Sequence, residues 1–242
     1  WLDNQCNNYA AIVTEFQANL KNLPLPSRSP HILAAIPNGI DTDFWRPTEP
    51  MRDIDVIWCA RTDAEKGIAT ALELVPILCS KGLQYRIVTS EKDGPQDQLT
   101  ALELDYPNFA HYSCQTPEQL RKLFSRSKIF LSTSTCEGMP ATPLEACACG
   151  CGPFVPDIDG LSEVFGDSEG FMHGFIQPPH ENACDLASCI GSLLVYEDAC
   201  DNPGWTPEGS TLARRIANRY SVEKMVDGYI SLYDRLLTTK ST

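Results

Sequence analysis

Positive charge is scarce in this chain: 19 Lys and Arg face 32 Asp and Glu, for a formal net charge of −13. That deficit excludes a nucleic-acid groove or an anionic membrane surface as the main partner. An anionic ligand needs only a few cations and backbone amides gathered in one place. Long apolar runs are missing too; none approaches the roughly 18 residues of a membrane span, and no secretory leader pattern opens the chain. The first residue is Trp1 rather than Met, so an upstream portion is expected. Among eleven cysteines there is no CxxC pair, and without a secretory leader a disulfide framework is not expected, which points to a reducing, cytoplasmic setting. The four histidines (31, 111, 173 and 180) are scattered, and no metal site is expected. Cys147, Cys149 and Cys151 form a CxCxC run. Cys147 and Cys149 fall on different faces of one helix with no histidine near in sequence, so they read as small buried apolar side chains rather than ligands.

Regular alternation is what the chain does have. Short apolar runs at 55–60, 84–89, 109–113, 128–133 and 153–156 read as buried strands. Helical periods at 68–80, 98–105, 117–126 and 143–149 separate or follow them. Strands and helices alternating at these lengths imply an α/β fold, a Rossmann-like parallel sheet with helices on both faces. The last third is helical: Leu186, Cys189, Ile190, Leu193 and Leu194 recur at three and four residues, giving one apolar stripe. Two further helices are expected near 208–219 and 222–238, the second with Ser221 as N-cap. The first fifty residues differ. YAAIVTE and FQANLKN read as one strand and one helix, followed by a Pro/Ser-rich break and the tight turn Pro37-Asn38-Gly39. A boundary is placed near 45–52.

Open parallel sheets bind ligands at the carboxyl ends of their strands. Two loops at such ends carry charge. RTDAEKG follows the first strand of the alternating region and sets Arg61 and Lys66 beside a helix start, a place where a cation opposes the helix dipole unless an anion lies between. EGMPATPLEACACG follows the strand near 128–133 and places Glu137 and Glu145 seven intervening residues apart. Pro140 and Pro143 rule out one continuous helix through both acids. Thr142-Pro143-Leu144-Glu145 reads as a helix start with Thr142 at N-cap, Pro143 at the first helical position and Glu145 closing a capping box. Glu145 therefore has two readings, a capping residue or a crevice carboxylate accepting from ligand hydroxyls. Glu137, in the loop, has no capping role, and Gly138 offers a backbone amide to an anion. Carboxylates beside an anion site suit a ligand with hydroxyl donors next to a phosphate, such as a sugar nucleotide.

The Glu137–Glu145 spacing within EGMPATPLEACACG resembles the paired-glutamate signature of the retaining GT-B glycosyltransferases of group 1 (GT4-type). IPNGIDTDFWRP resembles that family's interdomain segment, ARTDAEKG its phosphate loop, DIDGLSE the turn after the next strand, and NRYSVEKMVDGYISLYDRLL its closing helices. These landmarks run in order from about residue 30 to the end. The resemblance implies one half of a GT-B fold: residues 49–242 a nucleotide-sugar-binding domain, and 1–48 a remnant of an N-terminal acceptor domain plus the interdomain segment. It implies retaining, metal-independent transfer from a nucleotide-diphosphate sugar, which is a substrate, with no cofactor. By the family pattern Arg61 and Lys66 neutralise the diphosphate, Glu137 contacts the transferred sugar, and Glu145 accepts from the ribose. Gly138, Met139, Pro140 and Thr142 complete the donor site, with the nucleobase near Cys114 to Thr116. The sugar, lipid or other acceptor is then bound mainly by an N-terminal domain, with no nucleic-acid partner. Ala60, the SEKDGP turn and Asp159 depart from the family pattern and bear on the shape of the donor pocket. The alternatives are a GT-B sugar-nucleotide epimerase, for which the expected paired histidines are not found, and a degenerate domain used for docking or regulation. The DxD triplets at Asp41/Asp43, Asp53/Asp55 and Asp157/Asp159 are discounted as metal motifs at this aspartate content.

Overall fold

A computed structural model describes residues 11–15, 32–90, 94–165, 176–177, 182–198 and 210–239. The chain divides into two compact units, Trp1–Asp41 with Arg219–Thr242, and Thr42–Asn218. In the first, β1 (Ala11–Thr14) and β2 (Ile32–Ala35) pair in parallel. The helix expected over FQANLKN lies outside the described residues.

In the second unit β3 (Ile54–Ala60) leads through a single 3₁₀ turn, Ala64–Lys66, into α1 (Ile68–Ser80). There follow β4 (Tyr85–Thr89), α2 (Gln96–Asp105), β5 (Phe109–Ser113), α3 (Pro117–Arg126), β6 (Ser127–Leu131), α4 (Ala141–Ala148) and β7 (Gly152–Pro156). After these come α5 (Asp159–Phe165), β8 (Ile176–Gln177), α6 (Ala183–Asp198) and α7 (Ser210–Arg219). The strands form one sheet in the order β5-β4-β3-β6-β7-β8, every pair parallel. The strands expected from the sequence are all present, with ends shifted by at most two residues.

Alternation along β3 and β6 shows why both faces are covered. Val56, Trp58, Ile129 and Leu131 point into a core completed by α1 (Leu74, Leu78) and α6 (Leu186, Ile190). Their neighbours Ile57 and Phe130 are equally buried but face the other way. Phe130 meets Phe124 of α3 at 5.9 Å between ring centres, and Trp45 meets Phe124 at 6.0 Å. Strands with no polar face are the signature of a sheet covered by helices on both sides. Arg52, at the head of β3, donates to the carbonyls of Phe124 and Cys149, 3.3 and 2.9 Å away. It thereby ties the ends of α3 and α4 to the sheet, and burial pulls its pKa down. The CxCxC side chains are fully buried, as expected of apolar fillers.

The first unit closes with α8 (Val222–Thr239). Ser221 Oγ accepts from the Lys224 amide at 3.4 Å, the N-cap expected for it, and Ser221 pairs with Ile40 in a short parallel bridge. No helix among the described residues is long and apolar enough to cross a membrane.

Candidate active site at the switch point of the sheet

The strand order reverses between β3 and β6: the chain starts in the middle, runs outward to β5, then returns to the other side of β3. At such a point adjacent strands send their following loops in opposite directions, which leaves a crevice at their carboxyl ends. The two charged loops, 61–67 and 132–140, leave from these two strands. A cavity of about 290 Å³ opens there; its walls include Arg61, Lys66, Glu137, Met139, Pro140 and Thr142. Residues 71 positions apart in the chain are thus neighbours in space.

Several bonds hold the two loops in register. Thr133 Oγ1 accepts from Trp58 Nε1 at 2.9 Å and lies 2.9 and 3.0 Å from the carbonyls of Lys66 and Gly67. The Thr135 amide donates to Glu65 O at 2.8 Å. Lys66 Nζ donates to Glu137 Oε1 at 2.8 Å, with side chains only 18% and 13% exposed. The buried Ser134 hydroxyl donates to the same carboxylate oxygen at 2.7 Å. Arg61 is more open, 60% exposed, and pairs through Nη2 with Asp63 Oδ2 at 3.0 Å. Asp63 also caps the 3₁₀ turn, Oδ1 accepting from the Lys66 amide at 3.2 Å.

Other candidates lie off this cavity. Gly138 is exposed, and its carbonyl packs so tightly on Gly160 that a Cβ at Gly160 would come within 2.0 Å. Cys114 and Thr116 stand at the end of β5, two strands from β3. Cys114 has φ 51° and its thiol reaches the Ser90 carbonyl at 3.3 Å. Thr116 is the N-cap of α3, in a capping box with Gln119.

The expected capping box at Thr142 does not form. Helix α4 begins at Ala141, with Pro140 as its N-cap and no side-chain cap bond. Its first bond is Leu144 N–H to Pro140 O, 3.3 Å. Pro143 falls among the first helical positions, whose N–H groups have no partner within the helix, so its missing donor costs nothing. Glu145 lies too far into the helix to cap it. No described residue donates a hydrogen bond to its carboxylate, and burial raises its pKa from 4.5 to about 7. Glu145 is close to Cys59, whose thiol is pushed up to about 12, first by burial and then by that carboxylate. Cys59 is a wall residue of the cavity, and Glu145 is not among the wall residues, so Glu145 stands next to the cavity.

A measurable consequence follows from the raised Glu145 pKa. Below about pH 4.5 the carboxyl is protonated both folded and unfolded. As pH climbs to 7 the unfolded chain ionises first, and stability falls. The shift corresponds to a loss of about 3 kcal/mol, complete above pH 7. Glu145→Gln is expected to flatten this slope and to raise stability at pH 8 by a similar amount, read by urea denaturation across pH 4–8. An unchanged slope in the variant refutes the assignment.

Asp53 and Asp55 lie at the amino end of β3, away from the cavity, paired with Arg126 and Lys128, so this DxD triplet already has a structural role. Two contributors were not singled out by the sequence: Asp63, whose position before a short helical turn is an N-cap signal, and Ser134, which carries no signal at all. Across the 132–135 loop a second cavity of about 360 Å³ is lined by hydroxyls and apolar groups, and none of its described wall residues is charged.

Comparison with known proteins agrees with the landmarks. The profile of the family described as glycosyl transferases group 1 matches residues 39–204. Alpha-maltose-1-phosphate synthase of Mycolicibacterium smegmatis is 24% identical over 196 residues, 72% of this chain and 50% of that protein. The MMP alpha-(1->4)-mannosyltransferase of Mycolicibacterium hassiacum is 26% identical over 214 residues, 86% of this chain and 50% of that protein. The chain thus spans about half the length of these curated relatives. Among solved structures, sucrose-phosphate synthase from Thermosynechococcus elongatus superposes with a TM-score of 0.74 at 20% identity, covering 97% of this chain and 60% of that one.

Proposed function

The chain belongs to the group 1 glycosyl transferases, its parallel sheet matching one half of the GT-B fold, and from that premise we propose that the cavity binds a nucleotide-diphosphate sugar for retaining transfer without a metal ion. Arg61 and Lys66 meet the diphosphate. As the bond between sugar and diphosphate stretches, negative charge grows on the leaving oxygens, and fixed cations beside it lower the barrier by electrostatic stabilisation. Glu137 accepts from hydroxyls of the transferred sugar; Lys66 and Ser134 occupy one of its oxygens and leave the other for the ligand. Met139, Pro140 and Thr142 shape the wall around the sugar, and the Gly138 amide faces its phosphate side. Glu145, next to Cys59, accepts from the ribose, and the nucleobase extends toward Cys114 and Thr116. The acceptor is held mainly by a further domain, in keeping with a match to about half of each curated relative.

The observation that carries this reading is the convergence of Arg61, Lys66 and Glu137, from two loops, on one cavity at the switch point. Its test is a thermal-shift panel of UDP-, GDP- and ADP-sugars on the chain and on its Glu145→Ala variant. One nucleotide is expected to raise Tm by several degrees at saturating concentration, with most of that shift lost in the variant. No response to any of the three sets the donor-site reading aside in favour of a docking module.

A further inference from the structure

Asp63 has no part in the chemistry above, yet it touches both residues that bring positive charge to the cavity. One oxygen accepts from the Lys66 amide and the other pairs with the Arg61 guanidinium. Arg61 and Lys66 are wall residues of the cavity and Asp63 is not among them, so the Arg61 guanidinium is held in an ion pair that a ligand must replace. Lys66 is likewise engaged, by Glu137. Two cations and two carboxylates therefore balance to zero net charge before any ligand arrives. The two pairs differ in strength. Lys66 and Glu137 are enclosed at 18% and 13% exposure, whereas Arg61 and Asp63 are open at 60% and 37%. An ion pair that open contributes little, so Arg61 exchanges its partner at small cost while Lys66 stays in place.

The geometry points to Asp63 as a selectivity residue that weakens the hold of the site on the released nucleoside diphosphate relative to the nucleotide-sugar donor. This rests on the cavity being a diphosphate site. In the donor both phosphates are esterified and the diphosphate carries two negative charges. Loss of the sugar frees a terminal phosphate whose second ionisation lies near pH 6, so the product carries close to a third charge at pH 8. Asp63 competes with the ligand for Arg61, and its repulsion grows with ligand charge. The product is therefore penalised more than the donor, which favours turnover over retention of the spent nucleotide.

The test is isothermal titration of the chain with UDP, GDP and ADP and with the glucose esters of each, at pH 8. Wild type, Asp63→Asn, Arg61→Gln and the double variant are compared. Asparagine keeps the Oδ1 that caps the 3₁₀ turn and removes only the charge. Asp63→Asn is expected to tighten the nucleoside diphosphate about five-fold and the sugar ester about two-fold; in the Arg61→Gln background a smaller gain that still favours the nucleoside diphosphate is expected to remain, because the repulsion between Asp63 and the ligand does not run through Arg61. Equal tightening of both ligands, with Arg61 present or replaced, overturns the role of Asp63 while leaving the donor site standing. Absence of binding by all six ligands to every variant overturns the donor-site reading and the role of Asp63 with it.

Discussion

If the cavity is the donor site proposed above, Lys66→Met is expected to weaken nucleoside-diphosphate binding about 100-fold or more in titration calorimetry and to lower thermal stability. Both effects have one origin. Lys66 and Glu137 are mostly enclosed and 2.8 Å apart, so removing the ammonium leaves a carboxylate facing the cavity with only Ser134 to satisfy it. Breaking a largely enclosed ion pair from one side costs about 3 kcal/mol, a fall in Tm of roughly 8 °C for a unit of this size. The double variant Lys66→Met/Glu137→Gln separates the two effects. Neutralising both partners recovers most of the stability, because the stranded charge is gone, yet binding stays lost because the cation is still missing. A double variant that regains binding would show that Lys66 serves the fold alone.

The second large effect concerns the joint between the loops. Gly67 has φ 71° and lies so close to the 132–135 loop that a Cβ would stand 2.2 Å from the Thr133 carbonyl oxygen. Gly67→Ala therefore meets two penalties: about 1 kcal/mol for an L-residue in the left-handed region, and more for moving one of two backbones stitched together by Thr133. The sum is expected to be about 4 kcal/mol, read by urea denaturation. Gly82 provides the control. Its φ is 82°, but nothing lies within 4 Å of its would-be Cβ. Gly82→Ala is expected to cost about 1 kcal/mol, so the difference between the variants measures the close approach at Thr133. Equal losses at the two positions would mean that the loops are not in contact.

Much of this protein is legible in its sequence. The apolar runs 56–58 of β3 and 129–131 of β6 could only belong to a sheet covered on both faces, and Arg61, Lys66 and Glu137 could be placed at strand ends from periodicity and turn residues. What periodicity cannot give is which strand ends are neighbours. Loops 61–67 and 132–140 meet because β6 returns to the side of β3 opposite β4, and nothing local in either segment encodes that choice. Asp63 and Ser134 have partners within three residues of themselves, Arg61 and Lys66 for one and Glu137 for the other, but the cavity beside which those contacts lie is supplied by the fold.

The two Thr-Pro starts mark where sequence ends and tertiary structure begins. Thr116-Pro117-Glu118-Gln119 and Thr142-Pro143-Leu144-Glu145 carry the same local instruction. The first obeys it, with a capping box on Thr116; the second does not, and its helix starts at Ala141. The difference lies upstream. The chain before Thr142 is pinned by Glu137 to Lys66 and by Gly138 against Gly160, and it enters the helix early. Glu145 is thereby carried past the capping position to a place beside Cys59 of the cavity wall. Sequence by itself determined the strands, the helices and the charged loops, because those follow from patterns a few residues long. Only the tertiary structure decided which charges face one another, because ion pairing across loops depends on strand order, and strand order is set by the packing of the whole sheet.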